Sequence, residues 1–215
     1  MMDTDSLIDS LAADLRPVAA GTPDRLVLLA LAAAMPLVLF IVVMPIGLRP
    51  DLAVAITGSM FWMKLAYTSA IGAIAVAAAA LLFRPDTTPP RWLWLLAVPV
   101  AVFVAGTIRE AVSMPASDFM AVWFGPSWPV CSALILALSL PVAAALTLVA
   151  RRLAPTRLRA TGATIGLASG GISAALYSLH CPEAGASFVL TWYTLGMIAP
   201  TVIGAFLGPH LLRWT

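Results

Sequence analysis

The sequence predicts an all-α membrane protein: six transmembrane helices behind a short cytoplasmic N-terminal amphipathic helix. Three observations carry that expectation. Of 215 residues, 61% are hydrophobic and only 10% charged, whereas an average soluble domain carries about 25% charged residues. Six apolar runs each approach the ~20 residues a helix needs to cross the hydrocarbon of a bilayer. All seven tryptophans, Trp62, Trp92, Trp94, Trp123, Trp128, Trp192 and Trp214, fall near the ends of those runs, where an aromatic belt belongs.

The chain divides into a segment 1–25 and a transmembrane domain 26–215. Residues 1–25 hold Asp3, Asp5, Asp9, Asp14 and Asp24 against Arg16 and Arg25. Leu7, Ile8, Leu11 and Leu15 recur at helical spacing, so one face of a helix of about ten residues is apolar and the other acidic. Ser6 with Asp9 suits an N-terminal cap, and Pro17 ends the helix. So short a helix is marginal alone in water. Membrane-surface helices are usually basic, which makes a protein the better partner for this acidic one. A frayed, solvated tail is the competing reading. No basic start of a secretory signal precedes the first apolar run, so cleavage is not expected.

The runs lie at 26–46, 62–83, 92–108, 131–150, 160–180 and 189–209. Pro36, Pro99, Pro141 and Pro200 fall inside them, which membrane helices tolerate when neighbours satisfy the freed backbone groups. With the N-terminus inside, the inner segments hold Arg16, Arg25, Arg84, Arg91, Arg151, Arg152, Arg157, Arg159 and Arg213, and the outer ones Arg49, Lys64 and Arg109. That positive-inside bias places both termini in the cytoplasm. The fifth run carries Gly162, Gly166, Gly170 and Ala174, and the sixth Gly196, Pro200, Gly204 and Gly208. Small residues at every fourth position let membrane helices approach closely, so these two runs are expected to form a tight hairpin.

The two cysteines, Cys131 and Cys181, fall at polar breaks on the outer side, at the ends of the fourth and fifth runs. Adjacent antiparallel helix ends can bring Cα atoms within the ~4.4–6.8 Å a disulfide requires, and exported faces are where disulfides persist. A Cys131–Cys181 bridge in at least one state is therefore expected, either as a permanent staple or as a switch. Thiolates bind soft metals and react with oxidants, so the same two sulfurs are the candidate metal ligands. His180 and Glu183 are candidate auxiliaries, and Met114 is a weaker one. Two sulfurs fall short of a closed four-ligand zinc site, so no resident cofactor is expected beyond transient soft-metal binding. Lys64, Arg109 and Glu110 read as snorkelling interface anchors. No phosphate loop, nucleophile elbow, HExxH motif or paired carboxylates on one helix occur, so no enzyme is expected. The net charge of +2 gives no reason to expect nucleic acid. A membrane thiol oxidoreductase and a small metal transporter are the alternatives.

The chain resembles the NrsF-type anti-sigma factors. The resemblance runs through Asp5-Ser6-Leu7-Ile8-Asp9-Ser10-Leu11-Ala12, Gly47-Leu48-Arg49-Pro50-Asp51-Leu52 and Phe61-Trp62-Met63-Lys64-Leu65-Ala66-Tyr67. It continues in Ser127-Trp128-Pro129-Val130-Cys131, Arg152-Leu153-Ala154-Pro155-Thr156-Arg157 and Tyr177-Ser178-Leu179-His180-Cys181-Pro182-Glu183, and closes with Trp192-Tyr193-Thr194-Leu195-Gly196 and Gly208-Pro209. The cysteine-bearing pieces are the most specific. The resemblance implies a six-span protein of the bacterial inner membrane. Its cytoplasmic N-terminal segment would hold an extracytoplasmic-function (ECF) sigma factor away from RNA polymerase, with Leu7, Ile8, Leu11 and Leu15 in a groove and Asp5, Asp9 and Asp14 on basic residues. It also implies that Cys131 and Cys181 relieve the inhibition under metal or oxidative stress.

Overall fold

The computed structural model describes residues 4–13, 21–85 and 87–213, without the side chains of Asp5, Leu7, Leu11 and Ala12. Asp14, Leu15 and Trp214 lie outside the described residues. Among the described residues every regular element is helical and there is no strand. The expected N-terminal helix is α1, Thr4–Ala13. Ile8, the one member of its expected apolar face whose side chain is described, is exposed.

Helix α2 spans Thr22–Ile46 and ends in a widened turn, Val42–Ile46, that contains Pro45. The short α3 (Leu52–Ala55) leads into α4 (Ser59–Leu82). Next come α5 (Arg91–Ser113), which opens as a 3-10 turn, and the surface helix α6 (Ala116–Phe124). Helices α7 (Trp128–Leu153), α8 (Leu158–Tyr177) and α9 (Ala186–Leu211) complete the chain. Each expected run coincides with a helix, although 62–83 passes the end of α4 by one residue and 160–180 that of α8 by three; α3 and α6 are additions that no apolar run announced.

Among the described residues, five stretches are long and apolar enough to cross a membrane: Thr22–Ile46, Ser59–Leu82, Arg91–Ser113, Ala116–Leu153 and Ala186–Leu211. Their outer faces are apolar, with Leu28, Phe40, Val112, Leu140 and Phe206 all more than half exposed, as expected of surfaces that meet lipid rather than water. Helix α8 is not among the five. Its composition explains why: Thr161, Gly162, Thr164, Gly166, Ser169, Gly170, Gly171 and Ser173 are all buried. Enclosed by α4, α7 and α9, α8 needs small residues more than apolar ones. Its hydroxyls are satisfied within the helix stack: Ser173 donates to the Leu138 carbonyl (2.9 Å) and Ser169 to that of Gly166 (2.9 Å).

The expected α8–α9 hairpin is present. A Cβ on Gly162 or Gly204 would collide with the other's carbonyl group, and one on Gly166 would collide with the Pro200 carbonyl, so the backbones themselves are in contact. The same device binds α8 to α4, where a Cβ on Gly171 would sit 2.6 Å from Gly72. Gly196 departs from the expected pattern: it faces Ile135 of α7, 2.9 Å from where its Cβ would be.

The helices alternate in direction, so the loops sort to two ends. One end gathers residues 47–58, 114–127 and 178–185. The other holds the α7–α8 turn and the Arg84–Asp24 ion pair (3.0 Å), which ties the foot of α4 to that of α2.

Candidate functional site

Ser127 opens α7 with a main-chain N–H that has no helical partner, as every helix start does. The Glu183 carboxylate accepts from that N–H (3.3 Å) and from the Ser127 hydroxyl (3.0 Å). The first turn of α7 therefore lies against loop 178–185. Gly125 makes this possible: its φ is +53, and a Cβ there would stand 2.7 Å from the Glu183 carboxylate. One turn into α7, Cys131 faces Cys181 of the same loop.

Both cysteines are free thiols with no exposed surface, and their side chains act directly on each other. The sulfur of Cys181 is the better supplied with donors. It has the Cys131 thiol, the Glu183 main-chain N–H and the Tyr193 hydroxyl on its side, and the Ser127 hydroxyl lies 3.8 Å away. The Cys131 hydrogen bond lowers the Cys181 pKa most; burial opposes that shift, and the Lys64 ammonium adds to it.

Lys64 is the residue the sequence reading misplaced. It is not a snorkelling anchor: it is 1% exposed. Its ammonium donates to the carbonyls of Cys181 (2.9 Å) and Glu183 (3.0 Å) and lies 5.4 Å from the centre of the Tyr193 ring. The ion pairs among the described residues are Arg49–Asp51 and Arg84–Asp24, so this buried charge is held by carbonyl dipoles and a ring face. A thiolate at Cys181 is the anion that would balance it.

All three tyrosines of the chain sit at this end and are buried. Tyr67 shares a 2.6 Å hydrogen bond with Thr194. The hydroxyls of Tyr177 and Tyr193 are turned to the two sulfurs, abutting Cys131 and Cys181 respectively. The thiols thus sit in a closed chamber of phenol edges, a carbonyl-bound ammonium and each other.

The loop that carries Cys181 is fastened to residues 47–51 as well. The Arg49 main-chain N–H donates to the Leu179 carbonyl (3.0 Å) and its guanidinium to that of Cys181 (3.3 Å). His180 donates through Nδ1 to the Gly47 carbonyl (2.7 Å) and packs against the Tyr177 ring. Arg49 is itself gripped by Asp51 through two 2.7 Å bonds, which hold the Asp51 carboxyl below its usual range. A cleft of about 140 Å³ lined by Arg49, Phe61, Lys64 and Glu183 opens beside this junction.

Of the two expected auxiliaries, Glu183 caps a helix and His180 braces a loop. Glu110 is no snorkelling anchor either: it accepts from the main-chain N–H groups of Ala186 (2.6 Å) and Ser187 (2.9 Å), capping α9. Trp123 and Trp192 do more than sit in a belt. The Trp123 indole donates to the Thr191 hydroxyl (2.9 Å) and that of Trp192 to the Trp123 carbonyl (2.9 Å), and the pair locks α6 onto α9. Among the described residues no group of three or more His, Cys, Asp or Glu is placed to hold a metal ion; the two sulfurs are the soft ligands available.

The chain is 40% identical to the anti-sigma-F factor NrsF of Caulobacter vibrioides, over 99% of this chain and 100% of the relative. It is 36% identical, with the same coverage, to the probable anti-sigma-F factor NrsF of Azospira oryzae. No solved structure matches it significantly. The NrsF family, described as negative regulators of sigma F, matches residues 11–214, and the chain belongs to that family.

Proposed function

We propose that this protein is a membrane-bound anti-sigma factor. In this reading residues 1–25 sequester an ECF sigma factor at the cytoplasmic face of the bacterial inner membrane. The sigma factor is freed when Cys131 and Cys181, on the periplasmic side, respond to metal or oxidative stress. Helix α8 serves as the sixth crossing, which leaves both termini in the cytoplasm.

The observation that carries the sensor half is the contact between two free, fully buried thiols at one end of the bundle. Burial suits a switch better than a relay enzyme, which must present its thiols to a substrate. A reagent reaches these sulfurs only when loop 178–185 lifts, and lifting it breaks the bonds to Lys64, Arg49 and Gly47. Residues 47–51 directly follow α2, and α2 begins at Thr22, just after the proposed sigma-binding segment. A change at the thiols therefore has a covalently continuous path to the opposite end. For the partner half, a short helix with Leu7, Ile8, Leu11 and Leu15 on one side suits a groove, and Asp5, Asp9 and Asp14 suit basic residues beside it.

The test is co-expression of the full chain with the sigma factor and a sigma-dependent reporter. Leu11→Asp should leave the membrane protein in place and the reporter constitutively on. Cys131→Ser and Cys181→Ser should keep the reporter off under metal or oxidant. Repression by the Leu11 variant, or normal induction in both cysteine variants, would overturn the corresponding half.

A further inference from the structure

We propose that the groove between α7, α8 and α9 binds an anionic phospholipid, with one acyl chain in the groove and the phosphate against Arg151. The groove encloses about 490 Å³, within the ~300–1,000 Å³ of ordinary ligand sites. Its floor is the bare backbone of Gly162, Gly166 and Gly204, and Leu140 and Leu148 form one rim. Both leucines are more than 60% exposed, so the groove opens to the bilayer. From Leu136 to Arg151 it follows roughly 22 Å of helix at ~1.5 Å per residue, more than the ~15 Å of one leaflet of hydrocarbon. An apolar slot of that depth does not hold water, and an α-helix about 10 Å across is too thick for it. An acyl chain fits.

Charge selects the headgroup. Arg151, in the last turn of α7, lines the groove, and Arg152, Arg157, Arg159 and Arg213 are exposed at the same end of the bundle. None of the five has an ion pair among the described residues, and Asp24, the carboxylate at the foot of α2, is already bound to Arg84. Basic pockets between membrane helices are a recurrent means of binding anionic headgroups. The inference does not depend on the sigma-factor reading or on which side of the membrane these arginines face.

The experiment uses the purified full chain, delipidated in a neutral detergent. Phosphatidylglycerol, phosphatidylcholine with the same acyl chains, and inorganic phosphate are added separately, and thermal unfolding is followed. Phosphatidylglycerol should raise the apparent Tm by about 5–10 °C near 100-fold saturation; the choline lipid and free phosphate should do little. Arg151→Ala should weaken the phosphatidylglycerol effect roughly tenfold in concentration. Ala144→Trp, which fills the groove from its exposed side, should abolish it. Native mass spectrometry of the wild type and Arg151→Ala gives the same comparison even if the tryptophan variant fails to fold. Equal stabilisation by both lipids, or an Arg151→Ala variant that retains the lipid as the wild type does, would overturn the proposal. So would cross-linking through Ala144→Cys that traps a second copy of the chain in the groove regardless of lipid.

Discussion

The ammonium of Lys64 is bonded to the main-chain carbonyl of Cys181 at 2.9 Å, inside the bundle and out of reach of solvent. The contact joins the second turn of α4 to the loop that carries one of the two thiols. It ties the position of that loop to a charge that has nowhere else to go. Replacing Lys64 with Met keeps the stem and removes the donor. The carbonyls of Cys181 and Glu183 then lose a buried partner, at about 1–3 kcal/mol for each group left unsatisfied. Thermal unfolding should show the loss. In the reduced variant, labelling of Cys181 by a small maleimide should be faster than in the wild type, because loop 178–185 lifts more often. A variant with wild-type stability and labelling would mean that the loop is held by its other bonds alone.

Gly125 has a positive φ that side chains rarely adopt, and the Glu183 carboxylate passes directly against it. Gly125→Ala meets both obstacles. The backbone alone costs about 1–3 kcal/mol, and the carboxylate must withdraw from Ser127. Gly47→Ala is the control: its φ is +88 with nothing within 4 Å of the added carbon, so it pays the backbone cost only. The Gly125 variant should be clearly the less stable of the two, and Glu183→Ala should remove most of the difference between them. Equal Tm values for the two glycine variants would show that the carboxylate cap adds nothing.

The fold was legible where one rule of composition acts alone. Apolar runs and terminal tryptophans located the long helices, and four-residue spacing of Gly and Pro announced the α8–α9 contact. Helix α8 shows the limit of hydropathy: a helix enclosed by other helices has no lipid to satisfy, so Thr161, Ser169 and Gly171 replace leucines. The site was legible only at its sulfurs. Lys64 stands in an apolar helix near its end, the pattern of a surface anchor, and nothing in Phe61-Trp62-Met63-Lys64 says that two carbonyls from a loop over a hundred residues away will meet it. Tyr177 and Tyr193 were lost for the same reason. Their hydroxyls face thiols brought there by tertiary packing, not by spacing.

Gly166 tests the hairpin. A Cβ at this position would run into the Pro200 carbonyl, which belongs to a helix backbone and cannot rotate away. Gly166→Val should therefore force α8 and α9 apart at a cost of about 1–3 kcal/mol or more. The expected outcome is loss of folded protein in detergent, seen as early elution of aggregate. Ser169→Ala, one turn on, removes a hydroxyl whose bond stays within its own helix and should be nearly silent. Stable, monodisperse Gly166→Val protein would mean that the two helices are not in backbone contact.

The two thiols should not react alike, and pH separates them. Cys181 accepts from the Cys131 thiol and lies in the field of the Lys64 ammonium, and its pKa is depressed as a result. An ordinary thiol near ~8.5 loses its thiolate tenfold for each unit of falling pH. A depressed one keeps its anion through that range and loses it only as pH falls through the lower, folded value. The stabilisation that Cys181 gains as an anion follows the same course, being present above the unfolded thiol pKa and lost through the folded one. In reduced protein, alkylation read site by site between pH 5 and 9 should thus reach Cys181 before Cys131. Its rate profile should also lie to the acid side of free cysteine. Lys64→Met should shift that profile back toward the ordinary thiol even though it opens the loop, because the nearby positive charge has gone. Prior labelling of Cys131, or a profile that Lys64→Met leaves in place, would show that the ammonium holds the loop without acting on the sulfur.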